Sequence, residues 1–298
     1  MKHIVASVVF LLACLAPQCH AGKAATAAQI TVADKALIAE TDARRTRSAV
    51  ATHLPWGLPV QPLTTTREHL LCQADYVIDY DDDLRIPIWT AYRLRSEDLE
   101  HNQPRVEAFR RDPRLKEEVT ATLADFAESG YDRGHMAPSA CFPQTLTAML
   151  NTFLLSNMTP QRGELNQESW RLLEQKERDW AVKYKRLWVI TGAVFDSDMD
   201  GKRDPDAKVA KVKGRVGIPT GYYKVFVRMV GIGKPNALAI LVPHEDPSRN
   251  AMPVELYFTK HLVSVRSIEN ITGLDFFPRL TKPQQDALEA QAANALWN

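Results

Sequence analysis

Three consecutive aspartates, Asp81, Asp82 and Asp83, separate two strand-like runs, and this break constrains the fold of the 298-residue chain more than any other feature. Residues 76–80 alternate apolar and polar side chains, and residues 86–94 are rich in apolar and aromatic ones. Two such runs joined by a short polar turn read as a β-hairpin. Residues 187–192, 222–230 and 237–242 read as buried strands, and helical patterns cover 115–129 and 165–185. There is no regular βαβ alternation and no Gly-rich phosphate loop after an early strand. The expected class is therefore α+β, with a largely antiparallel central sheet flanked by helices.

The ends of the chain carry different information. Lys2 and His3 precede an apolar run over residues 4–15, followed by Pro17 and the small-residue stretch ending at Ala21. This is the pattern of a secretory signal peptide over 1–21, cleaved after Ala21, and it implies a secreted or periplasmic protein. Leu11-Leu12-Ala13-Cys14 also fits a lipobox, which leaves a lipid anchor at Cys14 as the alternative. No later segment is long and apolar enough to span a membrane. Residues 22–55 read as an N-terminal extension with a helical core at 33–40, residues 56–281 as one undivided domain, and residues 282–298 as a C-terminal helix starting at Pro283.

Removing residues 1–21 takes away one lysine and no acid, so the formal net charge falls from +1 to zero. A neutral chain does not hold nucleic acid by bulk electrostatics, so a phosphate partner must meet a local basic cleft or a metal. Two cysteines remain, Cys72 and Cys141. In an oxidising compartment they can form a disulfide across a long loop, or stay as two buried thiols. Their spacing has no zinc-site character.

The chemistry gathers in the run Tyr131 to Pro138. Asp132, Arg133, Gly134 and His135 place an acid, a fixed cation, a hinge and a titratable base in consecutive positions. Histidine can take a proton from water near neutral pH, and arginine offers forked donors that suit phosphate oxygens. By itself the run also fits a turn with solvated charges. In the helical stretch that follows, Asn166, Trp170, Glu174 and Arg178 recur every four residues and share one side. The plain alternative is a polar stripe with a Glu174–Arg178 ion pair. Asn166 and Glu174 lie about 12 Å apart along such a helix, too far to ligate one ion together. Arg93, near the end of the second hairpin strand, either points toward phosphate or is an exposed strand cation.

In order, Ile88 to Arg93, the run Asp132 to Pro138, Leu155 to Gln161, and Leu165-Asn166-Gln167 with Trp170 and Glu174 resemble the DNA/RNA non-specific endonuclease family, the sugar-non-specific, endonuclease G-like group. Residues 189–192 and 273–278 are similar to further landmarks of that family, and the resemblance covers roughly 56–280. It implies a ββα-metal (His-Me) finger and hydrolysis of DNA and RNA phosphodiesters with little sequence preference, leaving 5′-phosphate ends. It implies His135 as general base, Asn166 as the direct protein ligand of one Mg²⁺ (Mn²⁺ as a substitute), and Glu174 in that metal's water shell. Arg93 and Arg178 are implied near the phosphate, with Arg133 holding loop or substrate and Asp132 fixing local geometry. A homodimer is a further implication.

Overall fold

The computed structural model describes residues 22–41, 43–61 and 68–298. The signal-peptide and lipobox readings fall on residues 1–21 and lie outside the described residues.

Seven strands form one antiparallel sheet: β1 (Glu68–Cys72), β2 (Val77–Asp81), β3 (Ile86–Arg95), β6 (Arg186–Val194), β7 (Gly221–Gly231), β8 (Lys234–Pro243) and β9 (Leu262–Val263). A separate pair, β4 (Asp132–His135) and β5 (Met158–Gln161), falls between β3 and β6 in the chain. Across the large sheet the order is β9-β8-β7-β6-β3-β2-β1. The expected hairpin is β2–β3, with Asp81 Oδ1 accepting the main-chain N–H groups of Asp83 and Leu84, both at 2.8 Å. An aspartate that satisfies the turn's own backbone donors explains why the triple aspartate ends one strand and starts the next.

Both faces of the sheet are covered. Val77, Ala91, Ile190 and Val225 pack into one apolar cluster, while their neighbours Ile78, Tyr92, Val189 and Phe226 pack into the other. This alternation is the period of two of a pleated strand. The first face is closed by Ala49 and Val50 of α2 (Ala43–His53) and by Val265 and Ile268 of α5 (Val265–Thr272). The second is closed by Leu173, Trp180 and Ala181 of α4 (Arg171–Tyr184). Helix α1 (Ala27–Ala39) buries Ala33 and Leu37 and pairs Asp34 with Arg110 at 2.8 Å, while α3 (Leu146–Thr152) shares its small apolar cluster.

Two expectations change. The helix over 115–129 is only a 3₁₀ turn, Glu117–Val119, and a four-residue helix, Leu123–Phe126. Thr122 starts the second piece, its N–H donating to Asp125 Oδ2 at 2.8 Å, and this cap interrupts a continuous helix. The C-terminal helix α6 begins as expected, with Thr281 capping and Pro283 in the first turn, but ends at Glu289 (Lys282–Glu289). The tail beyond it is irregular and folds back so that the Trp297 carbonyl accepts from Trp180 Nε1 at 2.9 Å. Cys72 and Cys141 are both free, buried thiols, and they pack into clusters on different faces of the sheet. Of the two alternatives, a disulfide or two buried thiols, the structure has the thiols. Burial pushes the Cys72 thiol up to about 11, while the Cys141 thiol donates to Glu177 Oε1 at 3.1 Å.

Candidate active site

The Asp132–His135 run is the strand β4, antiparallel to β5, with Asp132 opposite Gln161 and His135 opposite Met158. The chain then enters a wide π-type turn over Leu165–Trp170 that continues directly into α4. Two strands and a helix thus form a ββα unit, with Asn166 in the irregular turn. Such π segments inside helices recur at functional sites. They also break the four-residue periodicity. Trp170 is fully buried, whereas Asn166, Glu174 and Arg178 are half-buried, so the four do not form one solvated stripe.

Gly134 is required by packing and does not serve as a hinge. A Cβ there would overlap the side chain of Gln161, which is fully buried on the opposing strand. Asp132 fixes the turn: its Oδ2 accepts from Asn166 Nδ2 at 2.9 Å and from Gln167 Nε2 at 2.8 Å. Because the amide nitrogen of Asn166 is held this way, its Oδ1 is directed away from the aspartate.

His135 is half-buried, but its Nε2 is enclosed and has no hydrogen-bond partner. Its ring meets Phe153 edge-on at 4.9 Å and Phe109 at 5.8 Å between centroids. Each phenylalanine carries an arginine: Arg133 lies 4.0 Å over Phe109, and Arg105 lies 5.0 Å over Phe153. Burial, with the charges of Arg105 and Arg133 acting in the same sense, depresses the His135 pKa to about 3. The imidazole is therefore neutral, with a free ring nitrogen, throughout the physiological range.

Glu174 and Arg178 face the same region. Burial pushes the Glu174 carboxyl up to about 7, opposed by Lys224, Arg178 and Arg105 and reinforced by Glu177. Arg178 is partly desolvated, yet Cys141, Glu177 and Glu174 hold its guanidinium above the usual range. It donates to Gln175 Oε1 at 2.6 Å, which takes the place of the Glu174–Arg178 pair. Beneath them is a closed ionic network. Lys224 Nζ meets Glu177 Oε2 at 2.8 Å, and Tyr92 Oη donates to Glu177 Oε1 at 3.0 Å. Lys224 also lies 5.0 Å from the centroid of the Trp170 ring.

Arg93 does not join this group. Strand alternation puts it on the face of Ala91, opposite Tyr92 and α4. Its main-chain N–H donates to His53 Nδ1 at 3.1 Å, and its guanidinium is desolvated among Arg95 and Arg186. The cation that the structure brings to the site is Arg105, whose charge acts on both His135 and Glu174. Arg105 also donates from Nη1 to Ser139 Oγ at 3.0 Å and pairs with Glu107 at 3.1 Å. Nothing local in the sequence marks it as a site residue, since Ser139 and Phe153 arrive from segments more than thirty residues away.

A neutral histidine on a two-stranded finger, an oriented amide on the adjoining helix and a surround of arginines form a site suited to hydrolysing a phosphate ester. The comparisons agree with that class. Residues 58–282 match the family model described as DNA/RNA non-specific endonuclease, and the chain belongs to that family. It is 34% identical to the mitochondrial endonuclease G of Homo sapiens over 228 residues, covering 76% of this chain and 73% of the relative. It is 33% identical to nuclease C1 of Cunninghamella echinulata var. echinulata, over 72% of this chain and 85% of the relative. A chain in the crystal structure of the EndoG/EndoGI complex superposes with a TM-score of 0.65 at 29% identity, covering 79% of this chain and 94% of that one. The protein is accordingly a nuclease, a phosphodiester hydrolase of the metal-dependent, non-specific type.

Proposed function

We propose that this protein is an exported, Mg²⁺-dependent endonuclease that cleaves DNA and RNA with little sequence preference and leaves 5′-phosphate ends. The observation that carries the reading is the enclosed, unpartnered Nε2 of His135 between two arginine-bearing phenylalanines. A neutral imidazole there takes a proton from a water whose oxygen attacks phosphorus. The P–O3′ bond breaks, the 3′ oxygen leaves with a proton from solvent, and the phosphate stays on the 5′ side of the downstream strand. Arg105, Arg133 and Arg178 bind phosphate oxygens and steady the charge that builds on them. Such contacts carry no base information, which supports the lack of sequence preference.

The donor set fits Mg²⁺. The ion prefers oxygen ligands and keeps several waters, so one amide oxygen is a sufficient protein anchor. The amide of Asn166, held at its nitrogen by Asp132, would offer that oxygen, and Glu174 would accept from the ion's water. When bound, the ion supplies Lewis-acid stabilisation of phosphate charge. Among the described residues no helix is long and apolar enough to cross a membrane, and the basic, apolar and small-residue order of residues 1–21 supports export.

The direct test is digestion of duplex DNA, single-stranded DNA and RNA with and without Mg²⁺. His135→Ala should reduce turnover by at least about 100-fold, the scale of a lost general base, while near-ultraviolet circular dichroism stays unchanged. A folded His135→Ala enzyme with full activity would defeat the assignment.

A further inference from the structure

A cleft of about 420 Å³ opens beside the site, between the segment around residues 99–105, the 3₁₀ turn Ser139–Cys141 and the outer edge of α4. Arg105 and Arg178 both line it, and both also act on Glu174. The cleft adjoins the candidate centre, because Arg105 rests on Phe153, whose ring meets His135. Leu99, Met149 and Val182 give apolar walls, and the amide of Gln103 and the imidazole of His101 supply polar edges. Asp179 also lines the cleft, where it accepts from Gln175 at 2.8 Å.

A space lined by two cations together with apolar and hydrogen-bonding side chains matches one nucleotide, whose phosphate is anionic and whose base is flat with a polar rim. The volume falls in the range of small-ligand clefts. We propose that this cleft is a subsite for a single unpaired nucleotide flanking the cleaved phosphate. Arg105 and Arg178 meet the phosphate side, and His101 and Gln103 contact the base. The inference rests on the nuclease reading above and adds a preference: strands that can unstack one base next to the cut bind better than rigid duplex. The ring of His101 and the amide of Gln103 can meet the polar edge of any base, so discrimination among bases stays mild.

The test uses a short single-stranded DNA with one ordinary phosphodiester and phosphorothioates elsewhere, made with an abasic residue at each flanking position in turn. At one position, loss of the base should lower kcat/KM about fivefold, on the scale of one stacked base. In the combined variant His101→Ala, Gln103→Ala that penalty should shrink to less than about twofold, since the contacts that reward the base are gone. No penalty at any position in the wild-type enzyme overturns the subsite, as does an equal penalty in enzyme and variant. If the wild-type protein cleaves none of the strands with Mg²⁺ present, the nuclease reading itself has failed, a different outcome from either.

Discussion

Replacing Lys224 by methionine isolates the ionic network under the catalytic helix. Lys224 and Glu177 are both fully buried and their charged atoms are 2.8 Å apart. Removing one partner of such a pair leaves an uncompensated charge in the interior, at a cost of about 3–5 kcal/mol. Glu177 retains two donors, Tyr92 Oη at 3.0 Å and the Cys141 thiol at 3.1 Å, which argues for the lower end, about 3 kcal/mol. With a urea m-value of about 3 kcal/mol/M, the midpoint should fall by about 1 M. Trp170 and Trp180 lie near the network and report the transition by fluorescence. Adding Glu177→Gln should recover more than half of the loss, since no charge then remains inside. A single variant that loses less than about 1 kcal/mol, or a double variant no better than the single one, would refute the reasoning. In the first case the pair contributes little; in the second the cost comes from packing.

Two further outcomes follow from the site. Gly134→Ala drives a methyl group into the buried Gln161 side chain on the paired strand, so stability should fall by about 1–3 kcal/mol and turnover should fall with it; differential scanning calorimetry and a plasmid-nicking assay read the two effects. Arg105→Ala should cost at least about tenfold in kcat/KM on DNA, whereas Arg93→Ala should cost less than about threefold, because the two cations lie on different sides of the sheet; equal losses in steady-state kinetics would return Arg93 to the site.

The contrast between those arginines shows what the sequence could reveal. The β2–β3 hairpin was legible because an alternating strand and an aspartate-rich turn are local signals. The face on which Arg93 lies was not legible, because both faces of β3 are buried and its residues read as one continuous apolar run. Tyr92, bonded to Glu177, and Ala91, in the opposite cluster, fix the direction only once the layers are known. Arg105 was invisible for another reason. It gains meaning from Phe153, Ser139 and His135, which tertiary packing alone brings to it. Asn166 and Asp132 could be read as candidates from their motifs, but the bond between them depends on the π-type turn, which no four-residue spacing foretells.

A near-neutral overall charge, +1 for the full chain, and a phosphate substrate are compatible here because of how the cations are paired. Many arginines of the fold are neutralised by a carboxylate, including Arg110 with Asp34, Arg114 with Asp112 and Arg215 with Asp125. Those at the site are held differently. Arg133 rests on an aromatic ring and Arg178 donates to a neutral amide, while Arg105 keeps one carboxylate partner, Glu107, and rests on Phe153. An aromatic face or an amide fixes a guanidinium without cancelling its charge. The arginines around His135 thus keep positive charge available to phosphate there. A site of this kind neutralises few phosphates, so it grips the strand at the point of cleavage and releases it after each cut.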